Sequence, residues 1–333
     1  MSLLTRCSVC EGLLDEEDLF CANCGTEAPS RTGDGKPGRP IGMGTPDTSQ
    51  MLTHSFQCSG CGASMSYDAS ARSLRCPFCG SEKLQQRTNE RTLAPSRVVP
   101  FAVQRDAAVA TMRQWLGRGF FRPGDLSERA MIDQMVAVYV PYWIFEARTH
   151  TYWTADTSQL PLMSRGDWRP LFGEHRGQYA GVLVGASGSL TSSETHALCP
   201  FDLAAGVPPG EVDLENVTVE KFKVGRKYAR PIAREGLENL ECRTCESLYV
   251  PGKARNCKVN TLVEGLASEP VLLPVWIMAY RYNERVFRFL VNGQTGAATG
   301  DAPTSWLKVL AVAGIAVGAI LLALVAAALL AGS

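Results

Sequence analysis

The sequence predicts an α+β protein built from two small cysteine-rich modules, a larger mixed body and one C-terminal apolar helix. Four C-x-x-C pairs lie within the first 79 residues and indicate the two modules. Strand-like and helix-like patterns alternate over residues 91–304, the one segment long enough for a conventional core. The last block contains 23 consecutive residues, 309–331, without a charge.

The composition argues against several classes of protein. The chain has 333 residues, 45% of them apolar, which is enough to bury a core and argues against global disorder. Its formal net charge is zero, so no basic field over the whole chain favours a nucleic acid. The N-terminus, MSLLTRCSVC, has no apolar stretch of signal-peptide length. We therefore expect the cysteines to stay in a reducing compartment and to bind metal rather than form disulfides.

The eight N-terminal cysteines form two quartets with the spacing of zinc ribbons. The first reads C-x2-C-x10-C-x2-C and the second C-x2-C-x14-C-x2-C. Each C-x-x-C pair places two sulfurs on a tight turn, and two such turns close a four-thiolate shell around Zn²⁺. A thioredoxin-like redox pair is the alternative, but the pairs occur doubled and without a βαβ context. Because four protein ligands leave no open position, we expect two structural zinc sites, bound by Cys7, Cys10, Cys21, Cys24, Cys58, Cys61, Cys76 and Cys79.

These motifs divide the chain into five segments, in which two ribbons and a linker precede the body. The linker is rich in Gly, Pro, Ser and Thr and has almost nothing to bury. The predicted segments are zinc ribbon 1 (1–25), the flexible linker (26–53), zinc ribbon 2 (54–90), the α+β body (91–304) and a transmembrane anchor (305–333).

The body contains a weak internal repeat. VPYWIFEA at 140–147 and LPVWIMAY at 273–280 share Pro, Trp and Ile at matching positions. We predict two copies of a strand–helix–strand unit in one antiparallel or mixed sheet. The first strand and helix of each copy are VVPFAV at 98–103 with a helix over 105–118, and VTVEKFKV at 217–224 with a helix over about 230–248.

The second predicted helix and its surroundings contain further cysteines. Cys242 and Cys245 are three residues apart on this helix, so both could face one ligand. A third metal site is one interpretation, and burial as small apolar side chains is the interpretation we prefer. The residues concerned are Cys199, Cys242, Cys245 and Cys257, with His196 as a further donor, and the predicted apolar positions of the helix are Leu237, Leu240 and Leu248.

The charges of the two ribbons indicate what they bind. Residues 1–25 contain one arginine and five acidic residues, which is a poor surface for phosphate and favours a protein partner. The second ribbon is close to balanced, with Arg72 and Arg75 among its four cations, so it leaves nucleic acid open. No phosphate-binding, nucleophile-elbow, zincin or dinucleotide motif occurs in a matching context, and we expect no enzymatic activity.

The C-terminal block predicts a single membrane-spanning helix from Val309 to Ala331. At 1.5 Å per residue this apolar run is long enough for a hydrocarbon core of about 30 Å. We expect the N-terminal bulk of the chain to be cytoplasmic. Gly314 and Gly318 form a G-x-x-x-G motif that would let two such helices pack as a homodimer, although a segment rich in Ala and Gly produces this motif readily.

Several blocks resemble a family of bacterial zinc-ribbon membrane proteins, described as uncharacterised, as TFIIB-type zinc ribbons, or loosely as primosomal-protein-N′-like. The resemblance covers about 54–310 and rests on CPFCGS at 76–81, VVPFAV at 98–103, WLGRGFFRPGDL at 115–126, VYVPYWIFEARTHTYWTAD at 138–156 and LLPVWIMAYRYNERVFRFLVNGQTGAATG at 272–300. It implies a zinc-binding, membrane-associated accessory protein, with some relatives linked to membrane-stress modules. We therefore expect a membrane-anchored adaptor that binds protein partners, and the alternative is a nucleic-acid-binding accessory protein without helicase activity.

Overall fold

The computed structural model describes residues 5–9, 11, 13–14, 21, 26, 28, 50–67, 75–117, 119, 122–124, 126, 135–282 and 285–331, except the side chains of 50–54, 88–92, 281, 286 and 323–331. Twelve strands and four α-helices are assigned within these ranges. The strands are β1 (Thr5–Arg6), β2 (Leu13–Leu14), β3 (Gln50–Cys58), β4 (Ser64–Ser66), β5 (Leu84–Leu93), β6 (Arg97–Val98), β7 (Val136–Thr157), β8 (Arg169–Gly185), β9 (Thr218–Glu220), β10 (Ala254–Tyr282), β11 (Arg285–Asn292) and β12 (Ala298–Gly300). The helices are α1 (Arg105–Gly117), α2 (Ser192–Ala197), α3 (Arg226–Tyr249) and α4 (Trp306–Ala331).

A mixed sheet of ten strands forms the centre of the molecule. Its two longest strands, β7 and β10, pair antiparallel, and the order along the sheet is β12-β11-β10-β7-β9-β4-β3-β5, with β6 beside β10 and β8 beside β7. The two repeat blocks lie on these neighbouring strands, where Val140 is opposite Leu273. The sequence expectation of a mixed α and β architecture is confirmed.

The two predicted units are β6–α1–β7 and β9–α3–β10, and the first strand of each unit pairs with the last strand of the other. β6, which precedes α1, pairs in parallel with β10, and β9, which precedes α3, pairs in parallel with β7. Both first strands are shorter than predicted, because the chain leaves the sheet after Val98 and after Glu220.

Helices α1 and α3 lie on the same side of the sheet, and each packs on it through its own set of buried residues. α1 covers 105–117 of the helix predicted over 105–118, with Met112 and Leu116 buried against β10 and β11. α3 packs on β7, β8 and β10 through residues spaced by four: Ala229, Ala233, Leu237, Glu241 and Cys245. The apolar positions predicted at Leu240 and Leu248 were wrong, because these side chains are 36% and 62% exposed on the solvent side of the helix.

The second ribbon and the segment 190–203, which contains α2, together cover one half of the opposite side of the sheet. Eight consecutive residues of β7, Val138–Phe145, are buried on both sides, and beyond them buried and more exposed residues alternate. We call the region that no described element covers the open face. Its residues are Glu146, Arg148, His150, Tyr152 and Thr154 on β7, Phe172, Glu174, Arg176 and Gln178 on β8, and Lys258, Asn260, Leu262 and Glu264 on β10.

The second ribbon is continuous with the sheet of the body. β4 pairs with β9, where Met65 is opposite Glu220, and the Lys221 amide donates to the Ser64 carbonyl at 2.9 Å. The first ribbon contributes the pair β1–β2, which contacts β10 through β2, and a cleft of about 330 Å³ is lined by residues of both. Arg6, Glu11, Arg97, Glu146 and Glu269 are among the residues that line this cleft.

α4 follows the sheet at the C-terminal end of the chain. Its start is fastened to the body by Lys308, whose Nζ donates to the Arg122 carbonyl at 2.8 Å. Among the described residues, no helix is long and apolar enough to cross a membrane. The predicted transmembrane anchor over 305–333 is therefore not confirmed. Its side chains from 323 onward, including Ala331, lie outside the described residues.

Candidate metal centre

The second cysteine quartet sits on two turns with the same hydrogen bonds. Cys58 is the last residue of β3 and Cys61 lies in the turn that follows, while Cys76 and Cys79 lie in the turn before β5. The Gly62 amide donates to the Cys58 carbonyl and the Gly80 amide donates to the Cys76 carbonyl, both at 2.8 Å. These glycines have φ angles of +77° and +71°, a left-handed conformation that glycine adopts without steric penalty.

The turns bring the four sulfurs to the spacing of a metal centre. Cys58 Sγ lies 3.6 Å from Cys79 Sγ, and Cys61 Sγ lies 3.6 Å from Cys76 Sγ. All four sulfurs lie within 4.8 Å of one another. A tetrahedral zinc site with Zn–S bonds of about 2.3 Å requires sulfurs about 3.8 Å apart, so the cluster fits Zn²⁺ with little adjustment.

The electrostatics of the cluster favour a cation. A hydrogen bond with the Cys76 thiol lowers the pKa of Cys61 to about 5, and the same bond together with burial raises the pKa of Cys76. Burial raises the pKa of Cys79 to about 11. Four sulfurs this close cannot all be negative without a positive charge among them, so metal binding is coupled to proton release.

The centre is built into the main core. Cys58 and Cys76 are each 1% exposed, and they belong to the same apolar cluster as Val138 and Val140 of β7. The Tyr67 hydroxyl donates to the Arg75 carbonyl at 2.7 Å and ties the two turns of the ribbon together. Since four thiolates complete the shell, a bound zinc would act structurally and would have no position for a substrate.

The first quartet is only partly described, but its described half repeats the same turn. The Glu11 amide donates to the Cys7 carbonyl at 2.9 Å, with Glu11 at a φ of +57°, the role that Gly62 and Gly80 have in the second ribbon. The Cys21 amide donates to the Thr26 carbonyl at 2.7 Å, as the Cys58 amide does to Ala63. Cys10 and Cys24 lie outside the described residues, so the first zinc site stays a prediction.

Two cations of the second ribbon contact side chains of the ribbon itself. Arg75 forms an ion pair with Glu82, and Arg87 Nη2 donates to Gln57 Oε1 at 2.9 Å. Arg72 lies outside the described residues. The Glu82 carboxylate offsets the charge of Arg75, and the neutral Gln57 occupies one donor of Arg87, so both contacts compete with phosphate.

The remaining cysteines separate into two groups. Cys245 is fully buried with Trp153 and Val250, as expected of a small apolar side chain, and Cys199 lies beside the main core. Cys242 and Cys257 are half-buried and form a group with Glu246, whose ligand atoms lie within 4.8 Å of one another. The sequence interpretation missed Glu246, although its position four residues after Cys242 on a helix was the available signal.

A buried polar group lies under α3. Glu241 is fully buried and accepts a hydrogen bond from Thr149, and its Oε2 lies 3.9 Å from His175 Nε2. His175 Nδ1 is in turn 2.9 Å from the Tyr249 hydroxyl. Gly177 leaves room for this carboxylate, since a Cβ there would come within 2.7 Å of Glu241 Oε1.

The chain is similar to a protein whose own role is undescribed. It is 27% identical over 327 residues to the uncharacterized protein YdjG of Bacillus subtilis (strain 168), and the similarity covers 80% of this chain and 95% of that protein. No protein-family model matches the chain. No solved structure matches it either. The comparisons thus establish a distant homologue, and the site itself provides the chemistry.

Proposed function

We propose that the protein is a zinc-ribbon adaptor that binds a protein partner on the open face. The observation that carries the proposal is that the second ribbon and the segment 190–203 bury one half of this side of the sheet, while no described element covers the other half. Large side chains stand on the uncovered half: Phe172 is 85% exposed, Leu262 54% and Tyr152 49%. Exposed aromatic and apolar side chains that are rimmed by polar residues are typical of protein-binding surfaces.

The charges of the open face favour protein over nucleic acid. Its three cations are Arg148, Arg176 and Lys258, and its three carboxylates are Glu146, Glu174 and Glu264. Such a face has no net positive charge with which to neutralise phosphates. Interspersed charges of both signs instead suit a partner with complementary ion pairs.

The zinc ribbons support this surface rather than perform chemistry. A closed four-thiolate centre holds the second ribbon against the sheet. With a complete first quartet, zinc ribbon 1 would hold a second zinc beside the cleft that reaches Glu146 of the open face. Glu11 lines this cleft, and the five carboxylates in residues 1–25 would attract a basic segment of the partner.

We also propose that the C-terminal segment attaches the adaptor to a membrane, with the body on the cytoplasmic side. Support comes from the uncharged run 309–331 and from apolar side chains exposed around α4, such as Leu307, Ile315 and Leu322 at 73–81%. A homodimer through Gly314 and Gly318 stays a prediction. The resemblance to zinc-ribbon membrane proteins is consistent with this attachment, and alkaline carbonate extraction of the full chain and of a chain ending at Thr304 tests it.

Site-specific photocrosslinking in cells tests the adaptor proposal. A benzophenone amino acid replaces Phe172 or Tyr152 in the full-length protein, and the control position is Tyr228, which is 69% exposed at the start of α3. We expect a discrete crosslinked polypeptide from the two open-face positions and none from the control. Phe172→Glu together with Leu262→Glu should abolish that crosslink from Tyr152 without changing zinc content.

Three outcomes would contradict the proposal. They are equal crosslinking from all three positions, crosslinks from the open face to nucleic acid, and a discrete product that survives the double substitution. Crosslinks to nucleic acid that weaken steeply with salt would instead favour the nucleic-acid alternative.

A further inference from the structure

Two thiols and one carboxylate converge on the helix-covered side of the sheet. Cys242 and Glu246 are four residues apart on α3, so they lie on the same face of the helix. Cys257 lies on β10, which packs against α3. The two sulfurs and one carboxylate oxygen lie within 4.8 Å of one another, and all three side chains are half-buried.

A β-bulge directs Cys257 toward the helix. Asn256 and Cys257 together stand opposite Ala155, since Arg255 pairs with Asp156 and Lys258 with Thr154. Ala254 and Val259 both pack in the cluster under α3, and because they are five residues apart they could not share a face of a regular strand. The extra residue shifts the alternation of side chains along the strand, so that Cys257 lies on the side of the sheet that faces α3.

The bulge is held by specific contacts. Asn256 has a φ of +54°, a left-handed conformation that asparagine tolerates better than most residues. The Asn256 side-chain Nδ2 donates to Asp156 Oδ2 at 2.8 Å, and Arg255 Nε donates to the same oxygen at 3.2 Å. The Cys257 thiol donates to the Cys242 carbonyl at 3.6 Å, which keeps the sulfur beside the helix.

From this geometry we propose that Cys242, Glu246 and Cys257 form a further metal site that binds a zinc-class divalent cation. Two thiolates select a soft or borderline cation, and a carboxylate is an ordinary third ligand for zinc. In a tetrahedral site the two sulfurs stand about 3.8 Å apart, a distance that small rotations of half-buried side chains can reach. Three protein ligands leave one position for water or an external ligand, unlike the closed ribbon centre.

Cys245 is not part of this site. It is three residues from Cys242 and packs in the same apolar cluster as Cys257, but it is fully buried against Trp153 and Val250 and is not in the group of ligand atoms that lie within 4.8 Å of one another. It therefore provides a matched control thiol on the same helix. Cys199, on another segment, provides a second control.

Zinc counting on the full-length protein tests the proposal. Protein purified under reducing conditions is loaded with Zn²⁺, freed of excess metal, and measured for zinc per chain by mass spectrometry. We expect the double substitution Cys242→Ser with Cys257→Ser to bind one zinc fewer than the unsubstituted chain. Cys245→Ala and Cys199→Ser should retain the full number.

A conservative variant guards against loss of folding. Glu246→Gln keeps the size of a half-buried side chain, and we expect it to lower the affinity of this one zinc at least tenfold in a chelator competition. Cobalt substitution should show fewer sulfur-to-metal charge-transfer transitions for this site than for a four-thiolate centre. Unfolding curves of every variant without metal establish that the helix still packs.

Two results would overturn the proposal. One is an unchanged zinc number in the folded double variant. The other is a protein in which Cys242 and Cys257 form a disulfide, recognised by a mass lower by two hydrogens, and in which the reduced thiols still bind no zinc.

Discussion

Replacing Gly62 with alanine tests whether the turn geometry controls metal binding. Gly62 has a φ of +77°, and a Cβ built there meets no atom within 4 Å. The substitution therefore adds backbone strain without a steric clash. The left-handed conformation costs an L-residue about 1 to 2 kcal/mol, which corresponds to zinc binding weaker by about 5- to 30-fold.

Chelator competition on the full-length protein measures this change in zinc affinity. Gly80→Ala is a second instance, since Gly80 has a φ of +71° and equally open surroundings. Gly62→Asn is the matched control, because asparagine adopts the left-handed conformation more readily than alanine does. The reasoning is refuted if Gly62→Ala binds zinc as tightly as the unsubstituted chain, or if Gly62→Asn loses as much affinity as Gly62→Ala.

Three further predictions follow from the fold. Removing metal with a chelator should lower the melting temperature of the whole body in circular dichroism, because two ribbon ligands lie in its core. Added zinc should restore the melting temperature. A melting temperature of the body that does not change would count against a shared core. Burial raises the pKa of Glu220 to about 7 from 4.5, so the folded state binds more protons than the unfolded state between these values. Stability should therefore fall by about 3 kcal/mol as pH rises through that window, and urea unfolding of Glu220→Gln should show a flatter pH dependence. In the same assay, Leu237→Ala should lower the free energy of unfolding by about 2 to 5 kcal/mol, because Leu237 is buried. Leu248→Ala should lower it by less than about 0.5 kcal/mol, because Leu248 is exposed. Equal losses would mean that α3 packs on its other face.

The sequence was sufficient where neighbouring residues set the structure. The C-x-x-C spacing of the second quartet placed four sulfurs around one point, because each turn needs only a few consecutive residues. The helix predicted over 105–118 corresponds to α1 over 105–117, since an apolar spacing of this kind acts locally.

The sequence was insufficient where a helix had to choose a packing face. α3 carries leucines around its circumference, and the periodicity at Leu237, Leu240 and Leu248 suggested one stripe. The observed stripe runs through small residues and Glu241, because the close-packed sheet beneath accepts alanines and one hydrogen-bonded carboxylate at those positions. Such a choice depends on the shape of β7 and β8, which are distant in the chain.

By itself, the sequence determined the four-thiol donor set of the second ribbon, the mixed α and β character of the body and the apolar nature of the C-terminal block, since each depends on residue type and short spacing. Tertiary structure decided which half of the sheet the ribbon covers, and hence where the open face lies. It also brought Glu246 of a helix beside Cys257 of a bulged strand. These arrangements arise from contacts between residues far apart in the chain, and no local pattern specifies the register and packing that create them.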